Sequence, residues 1–317
     1  MTQENIVLAI AVLLFAGCAV FLHGFVTVPN TIAIIRSVSV LGILAIGMGV
    51  VVIGRGIDLS MVSVMALSVA WFLNLVNSHL PFAGALGLAL GAVIAVGLIN
   101  GFLIAYADVP AIFATLATGA FVFGFGRSQL IGQDLIPLDP HSALAAIGQM
   151  RVGPVPIEVV FFATAALLTF LALRFTKYGR FVYLMGDNYT AARSMGIPVR
   201  PMVVASYVLS ALIAFVAGLI TAVNLLGMNT RIVNSTLLYD VILVVVIGGI
   251  GLSGGKGGVR NVIIGALLIG IMLNAMTIVD IPGIYQNLMK SAVLLAAIIV
   301  DSILNPRDEQ TAQQGDI

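Results

Sequence analysis

Residues 176–201 read TKYGRFVYLMGDNYTAARSMGIPVRP, with a long apolar segment on either side. From Arg174 to Arg200 the stretch holds five cations (Arg174, Lys177, Arg180, Arg193, Arg200) and one acid, Asp187. Asn188 suits a helix N-cap, because its side-chain oxygen can accept an orphan backbone N–H. Tyr189–Met195 then form about two turns. Gly196 suits the left-handed position after the helix, and Pro198 blocks continuation. So short a helix is marginal alone in water and needs packing against its own chain or a partner. Ala191 and Ala192 carry little bulk, so a groove could receive the helix closely. Two readings stand side by side here, a loop helix lying on a membrane surface and a docking element.

The flanks fix the solvent. The 317-residue chain is 61% hydrophobic and 9% charged, where a soluble domain carries roughly a quarter charged residues. Continuous apolar runs, without barrel-like alternation, predict an all-α integral membrane protein. Ten spans follow: 6–23, 31–53, 59–77, 82–106, 111–131, 157–175, 202–226, 236–250, 257–279 and 284–304. They form one transmembrane domain over 1–304, with the loop 176–201 inside it and a polar, disordered tail at 305–317. No Lys or Arg precedes the run Ile6–Leu22, so it reads as a retained first span rather than a cleaved signal. A net charge of +1 suggests no nucleic-acid partner. Lone Cys18 excludes an intrachain disulfide, and His23, His79 and His141 are too scattered for a metal site. No cofactor is expected.

Basic residues set the orientation. With both termini cytoplasmic, nine cations fall inside (Arg55, Arg174, Lys177, Arg180, Arg193, Arg200, Lys256, Arg260, Arg307) and five fall outside (Arg36, Arg127, Arg151, Arg231, Lys290). The positive-inside rule favours this arrangement. Arg36 is expected to snorkel from the outer end of the second span. Gly87, Gly91, Gly97 and Gly101 predict close helix packing along the fourth span. Residues 51–60, VVIGRGIDLS, echo 245–253, VVIGGIGLS. Both end a span on the same side, so the echo predicts a parallel repeat.

Four blocks, in order along residues 30–304, carry a resemblance. They are Gly56-Ile57-Asp58-Leu59-Ser60; Asn100-Gly101 followed by Pro110 to Leu116; Met185-Gly186-Asp187-Asn188 through Ile197; and Gly248 to Gly258 followed by Asn274. Together they resemble the permease subunits of ribose-type bacterial ABC importers. The resemblance implies an inner-membrane transport subunit, not an enzyme, for a monosaccharide or related polyol. It implies a cytoplasmic ABC ATPase pair, a periplasmic sugar-binding protein and a second permease copy or close homologue. By the same resemblance, Gly186, Asp187, Asn188, Ala191, Ala192, Arg193, Gly196 and Ile197 couple to the ATPase. Asp58, Ser60, Asn100, Phe113 and Asn274 are candidates for a substrate path or gate.

Residue chemistry leaves alternatives beside these roles. Asp58 could cap a broken helix, bond a polar substrate, pair with Arg55, or be solvated at the membrane edge. Asn74, Asn100, Asn224 and Asn274 could line a path or join helices. Phe113 and Trp71 could stack on a sugar or pack. Leu252-Ser253-Gly254-Gly255-Lys256 imitates a phosphate loop, but Ile250 occupies the first glycine position and Gly257 follows the lysine, so it reads as a glycine turn. The rival class is a stand-alone proton- or sodium-coupled transporter, which needs a buried ionisable relay. Asp240 is its best candidate.

Overall fold

The computed structural model describes residues 3–153 and 155–304. The helices are α1 (Gln3–Phe21), α2 (Val28–Ile53), α3 (Met61–Asn77), α4 (Phe82–Ala105), α5 (Ala111–Phe125), α6 (Ala143–Gln149), α7 (Ile157–Phe175), α8 (Lys177–Asp187), α9 (Tyr189–Ser194), α10 (Val199–Leu225), α11 (Leu237–Ile247), α12 (Val259–Ile278) and α13 (Gly283–Leu304). A π-helical turn, Gly126–Ile131, continues α5. Seven helices are long and apolar enough to cross a membrane, and the shorter apolar helices Met61–Asn77, Leu237–Ile247 and Gly283–Ile299 occupy three further predicted span positions. The tail at 305–317 lies outside the described residues.

A helix that is hydrophobic all round must be buried or face lipid. The structure divides the spans on that basis. The most apolar window of α2 is 78% buried, against 17% in α1 and 22% in α4 and α7. Thus α2 and α3 form the centre, while α1, α4, α5, α7 and α13 present Leu, Ile and Phe outward.

The packing is that of an inverted repeat. Helix α3 lies against α4 and α5 as α11 lies against α12 and α13. Helix α10 packs on α4 and α3 as α2 packs on α12 and α11, and α2 and α10 contact each other. The units are α2–α5 and α10–α13. Their first members are the second and seventh spans, which cross in opposite directions, so the relation is inverted. This corrects the parallel repeat expected from the 51–60 and 245–253 echo. What the echoed stretches share is a helix ending. Gly54, Arg55 and Gly56 N–H groups donate to Val50, Val52 and Val51, and Gly248, Gly249 and Ile250 donate to Val244, Val246 and Val245 in the same pattern. Arg55 (φ 69°) and Gly249 (φ 94°) both take the left-handed conformation this ending demands.

The predicted glycine row of α4 divides in two. A Cβ on Gly97 or Gly101 would stand 2.6 or 2.5 Å from the Cα of Val208 or Val204, so α10 lies directly on that backbone. Gly87 and Gly91 face open space. Across the bundle, Gly218 brings α10 against α3, with Met65 O 2.6 Å from its would-be Cβ.

At the end of the bundle away from α8 and α9, Leu135–Pro137 pairs antiparallel with Gly227–Asn229. Asp134 receives Arg127 at 2.6 Å and Arg231 at 2.7 Å, tying the π turn to the segment before α11. Arg36 does not merely snorkel. Its Nε lies 3.2 Å from Glu158 of α7, whose side chain is fully buried. Because an unpaired buried carboxylate is costly, Arg36 serves as its counter-ion.

Candidate coupling site and buried polar cluster

Sequence reading placed one short helix in the 176–201 loop, and the structure holds two. Thr176 caps α8, its hydroxyl accepting the Gly179 N–H at 3.3 Å. Gly179, Val182, Met185 and Gly186 are buried, while Lys177, Arg180, Leu184 and Asp187 are exposed. That spacing is one helical face. The signal was present as a helical period, hidden by the low overall hydrophobicity of the stretch. Asn188 then caps α9, with Oδ1 accepting the Ala191 N–H at 2.9 Å. Gly196 (φ 80°) reverses the chain, and the Ile197 N–H returns to Ala192 O at 3.1 Å.

The coupling candidates separate into two faces. Asp187, Asn188, Ala191, Arg193 and Gly196 are exposed, whereas Gly186, Ala192 and Ile197 are buried. Ala192 does not lie open to a partner groove. It packs in an apolar cluster with Met185, Ile197, Val203 and Tyr207. Burial pushes the Tyr183 phenol above its ordinary pKa, and burial raises Tyr189 as well, opposed by Arg200 and Arg193.

Two of the sequence blocks meet the end of α2 under this helix pair. A Cβ on Gly186 would collide with the Ile53 carbonyl and stand 2.5 Å from the Gly255 nitrogen. Gly255 N–H donates to that same Ile53 carbonyl at 2.8 Å. Arg55 Nε donates to Ser253 O at 2.9 Å, and Tyr183 OH donates to Gly257 O at 2.8 Å. The end of α2, the end of α8 and the loop 248–258 therefore share one backbone junction. Within the loop, the Gly254 and Gly255 N–H groups are taken by Gly251 O and Ile53 O. Those donors hold the junction rather than a phosphate.

Beyond the bend, Asp58 is buried and bonded, not solvated. Its Oδ1 accepts the Ser60 N–H at 3.0 Å and the Ser60 hydroxyl at 2.5 Å, and its Oδ2 accepts the Ser210 hydroxyl of α10 at 2.8 Å. Asn100 of α4 donates to Ser60 Oγ at 2.9 Å. Leu59 N–H donates to Thr115 of α5 at 3.1 Å, and Tyr207 OH donates to Ile57 O at 3.2 Å. The bend between α2 and α3 is thus tied to α4, α5 and α10. Asn100 Oδ1 is buried without a hydrogen-bond partner.

Asp58, Ser60 and Asn100 come together, and Phe113 and Asn274 do not join them. Phe113 is exposed on α5. Asn274 exchanges hydrogen bonds with Asn30 at 3.0 and 2.8 Å, joining α12 to α2. Thr115 lies inside the second sequence block but was not singled out there, and Ser210 and Tyr207 were missed, their only sequence signal being polarity inside an apolar span. Asp240 lies 2.9 Å from Lys290 of α13, and Lys290 also donates to Thr236 at 2.6 Å. This pairing accounts for a buried acid without a proton relay.

The family model described as the branched-chain amino acid transport system permease component matches residues 30–298. The ribose import permease of Haemophilus influenzae is 32% identical over 93% of this chain and 92% of its own. A galactofuranose transporter permease of Escherichia coli is 34% identical, covering 86% and 80%. The Bacillus subtilis ribose import permease is 32% identical, covering 86% and 84%. No solved structure matches the chain. The chain belongs to this family of ABC importer permeases and is a multi-pass membrane transport subunit.

Proposed function

We propose that this permease carries a monosaccharide or related polyol across a bacterial inner membrane by alternating access. Two such subunits, identical or closely related, work with cytoplasmic ABC ATPases and a periplasmic sugar-binding protein. Residues 1–304 make one permease domain, with both termini and the α8–α9 pair in the cytoplasm. The sugar reading rests on the relatives' names, ribose and galactofuranose, and not on the amino-acid wording of the family description.

The carrying observation is the two-faced α8–α9 pair. Its outer face offers Asp187, Asn188, Ala191 and Arg193. Its inner face is joined through Gly186 to the end of α2 and the loop 248–258. Force applied by an ATPase to the outer face passes through that junction to the end of α2 and the α2–α3 bend. From that bend, Asp58 and Ser60 hold α10 and α4. Asp58 accepts its hydrogen bonds from Ser60 and Ser210 within the chain, so we assign these residues to a gate that ties the bend to α10 and α4. Ligand and ATP shift the equilibrium only through different affinities for the two states.

Ala191→Trp tests the docking face. It should leave insertion and folding unchanged while abolishing ATP-driven sugar uptake, read as radiolabelled uptake beside ATPase activity of the purified complex. Undiminished uptake would remove α9 from the coupling role. A panel of pentoses, hexoses and branched-chain amino acids in the same assay tests the substrate class.

A further inference from the structure

We propose that the corner between α7 and α8 is a binding site for an anionic phospholipid, with Arg174, Lys177 and Arg180 on its headgroup and the lower face of α7 on its acyl chains. The proposal needs α7 to span the membrane. It uses the orientation given above only to assign the leaflet.

The apolar part comes first. Leu168, Leu171 and Phe175 are exposed and spaced by three and four residues, so they make one stripe down the outside of α7. The stripe ends where three exposed cations, Arg174, Lys177 and Arg180, follow within one short stretch of chain. Arg174 lies in the last turn of α7, and its guanidinium stands 5.7 Å from the centroid of the Phe170 ring and 5.8 Å from that of Phe175. Those rings hold the head group of Arg174 beside the stripe.

The chain then turns at once. A Cβ on Gly179 would run into the Leu173 carbonyl, so the first turn of α8 folds tightly onto the last turn of α7. Lys177 and Arg180, three residues apart and both exposed, share the outer side of that first turn. No acid lies in the first turn of α8. Cations at a helix N-terminus are placed against the macrodipole and repel one another. Neither the helix nor a protein partner within the described salt bridges compensates them.

A ligand that relieves this arrangement must carry negative charge at the membrane surface and apolar chains beside α7. A phosphodiester lipid with a net negative headgroup has both. The three cations are drawn to the surface potential of such lipids.

The measurement is native mass spectrometry of the full chain released from mixed phosphatidylglycerol and phosphatidylcholine nanodiscs, followed by titration with each lipid. The wild type should retain phosphatidylglycerol in preference to phosphatidylcholine. Arg174→Gln/Lys177→Gln/Arg180→Gln should lose that preference by at least about tenfold, and the wild-type preference should weaken with added salt. Arg151→Gln, in the loop at the opposite end of the bundle, should behave as wild type. Lys177→Gln/Arg180→Gln, which spares the Arg174–phenylalanine contacts, gives an intermediate loss and covers the case in which the triple variant folds poorly. Equal retention of the two lipids by the wild type would overturn the site. So would an unchanged preference in the variants. If the variants keep the lipid but lose a co-purifying ATPase, the patch is a protein-docking surface and the proposal fails in that direction. Sugar specificity does not enter any of these readings.

Discussion

At the scale of single residues, the bundle places each buried charge beside a partner. Glu158 shows why this matters. Its carboxylate is fully buried, neither oxygen has a hydrogen bond of good geometry, and Arg36 at 3.2 Å supplies the compensating charge. Breaking such a pair leaves an uncompensated ion, whereas replacing both members with apolar residues of similar volume is often tolerated. Arg36→Ala should therefore destabilise the detergent-purified protein by about 3 kcal/mol, the low end for a buried pair because Arg36 itself is partly exposed. Arg36→Met/Glu158→Leu should regain most of the loss. Thermal unfolding of the two variants reads the difference, and equal melting points would mean that the pair contributes no coupling. Asp58 follows the same logic with hydroxyls in place of a cation. Its block, with the partner Ser60, was legible in the sequence, and its distant partner Ser210 was not, since 152 residues separate them.

At the scale of elements, the decisive feature is the seat of α8 on the end of α2. Helix α8 is short, so its order comes from packing more than from its own propensity. Gly186 makes that packing possible, because any side chain there meets the Ile53 carbonyl and the Gly255 nitrogen. Gly186→Ala should displace α8 and cost about 1–3 kcal/mol, the range for overpacking a tight contact. Its signature should be local. Hydrogen exchange should accelerate across 177–195 and at 248–258 together, while the amides of α3 and α10 stay protected. Acceleration confined to one of the two segments would show that they are not joined as the structure has them. The caps of α9 were readable from Asn188, Gly196 and Pro198 because capping is local chemistry. Helix α8 was not read, because its buried face carries glycines and its exposed face carries cations, which together mask its period.

At the scale of the whole molecule, the inverted repeat gives the chain two related halves of opposite direction that meet where α2 contacts α10. The proposed orientation in the membrane rests on the distribution of cations and is open to a direct test. Cys18 is the single cysteine, so a Cys18→Ala background accepts one reporter at a time. A cysteine at the exposed position Thr190 should react with a membrane-impermeant maleimide only in inside-out vesicles, and one at the exposed position His141 only in intact spheroplasts. The reverse pattern would invert the topology and move the α8–α9 face away from any cytoplasmic ATPase. The sequence by itself determined the solvent, the positions of the ten apolar segments, the caps of α9 and the family, because hydropathy, capping and ordered motifs are written within short stretches of chain. Only the tertiary structure decided that the repeat is inverted, that Ala192 faces inward, that Asp58 is held by Ser210, and that three distant glycine-rich segments share one junction. Most of these are relations between segments far apart in the chain, 152 residues in the case of Asp58 and Ser210, and all are fixed by close packing, which short stretches of sequence do not encode.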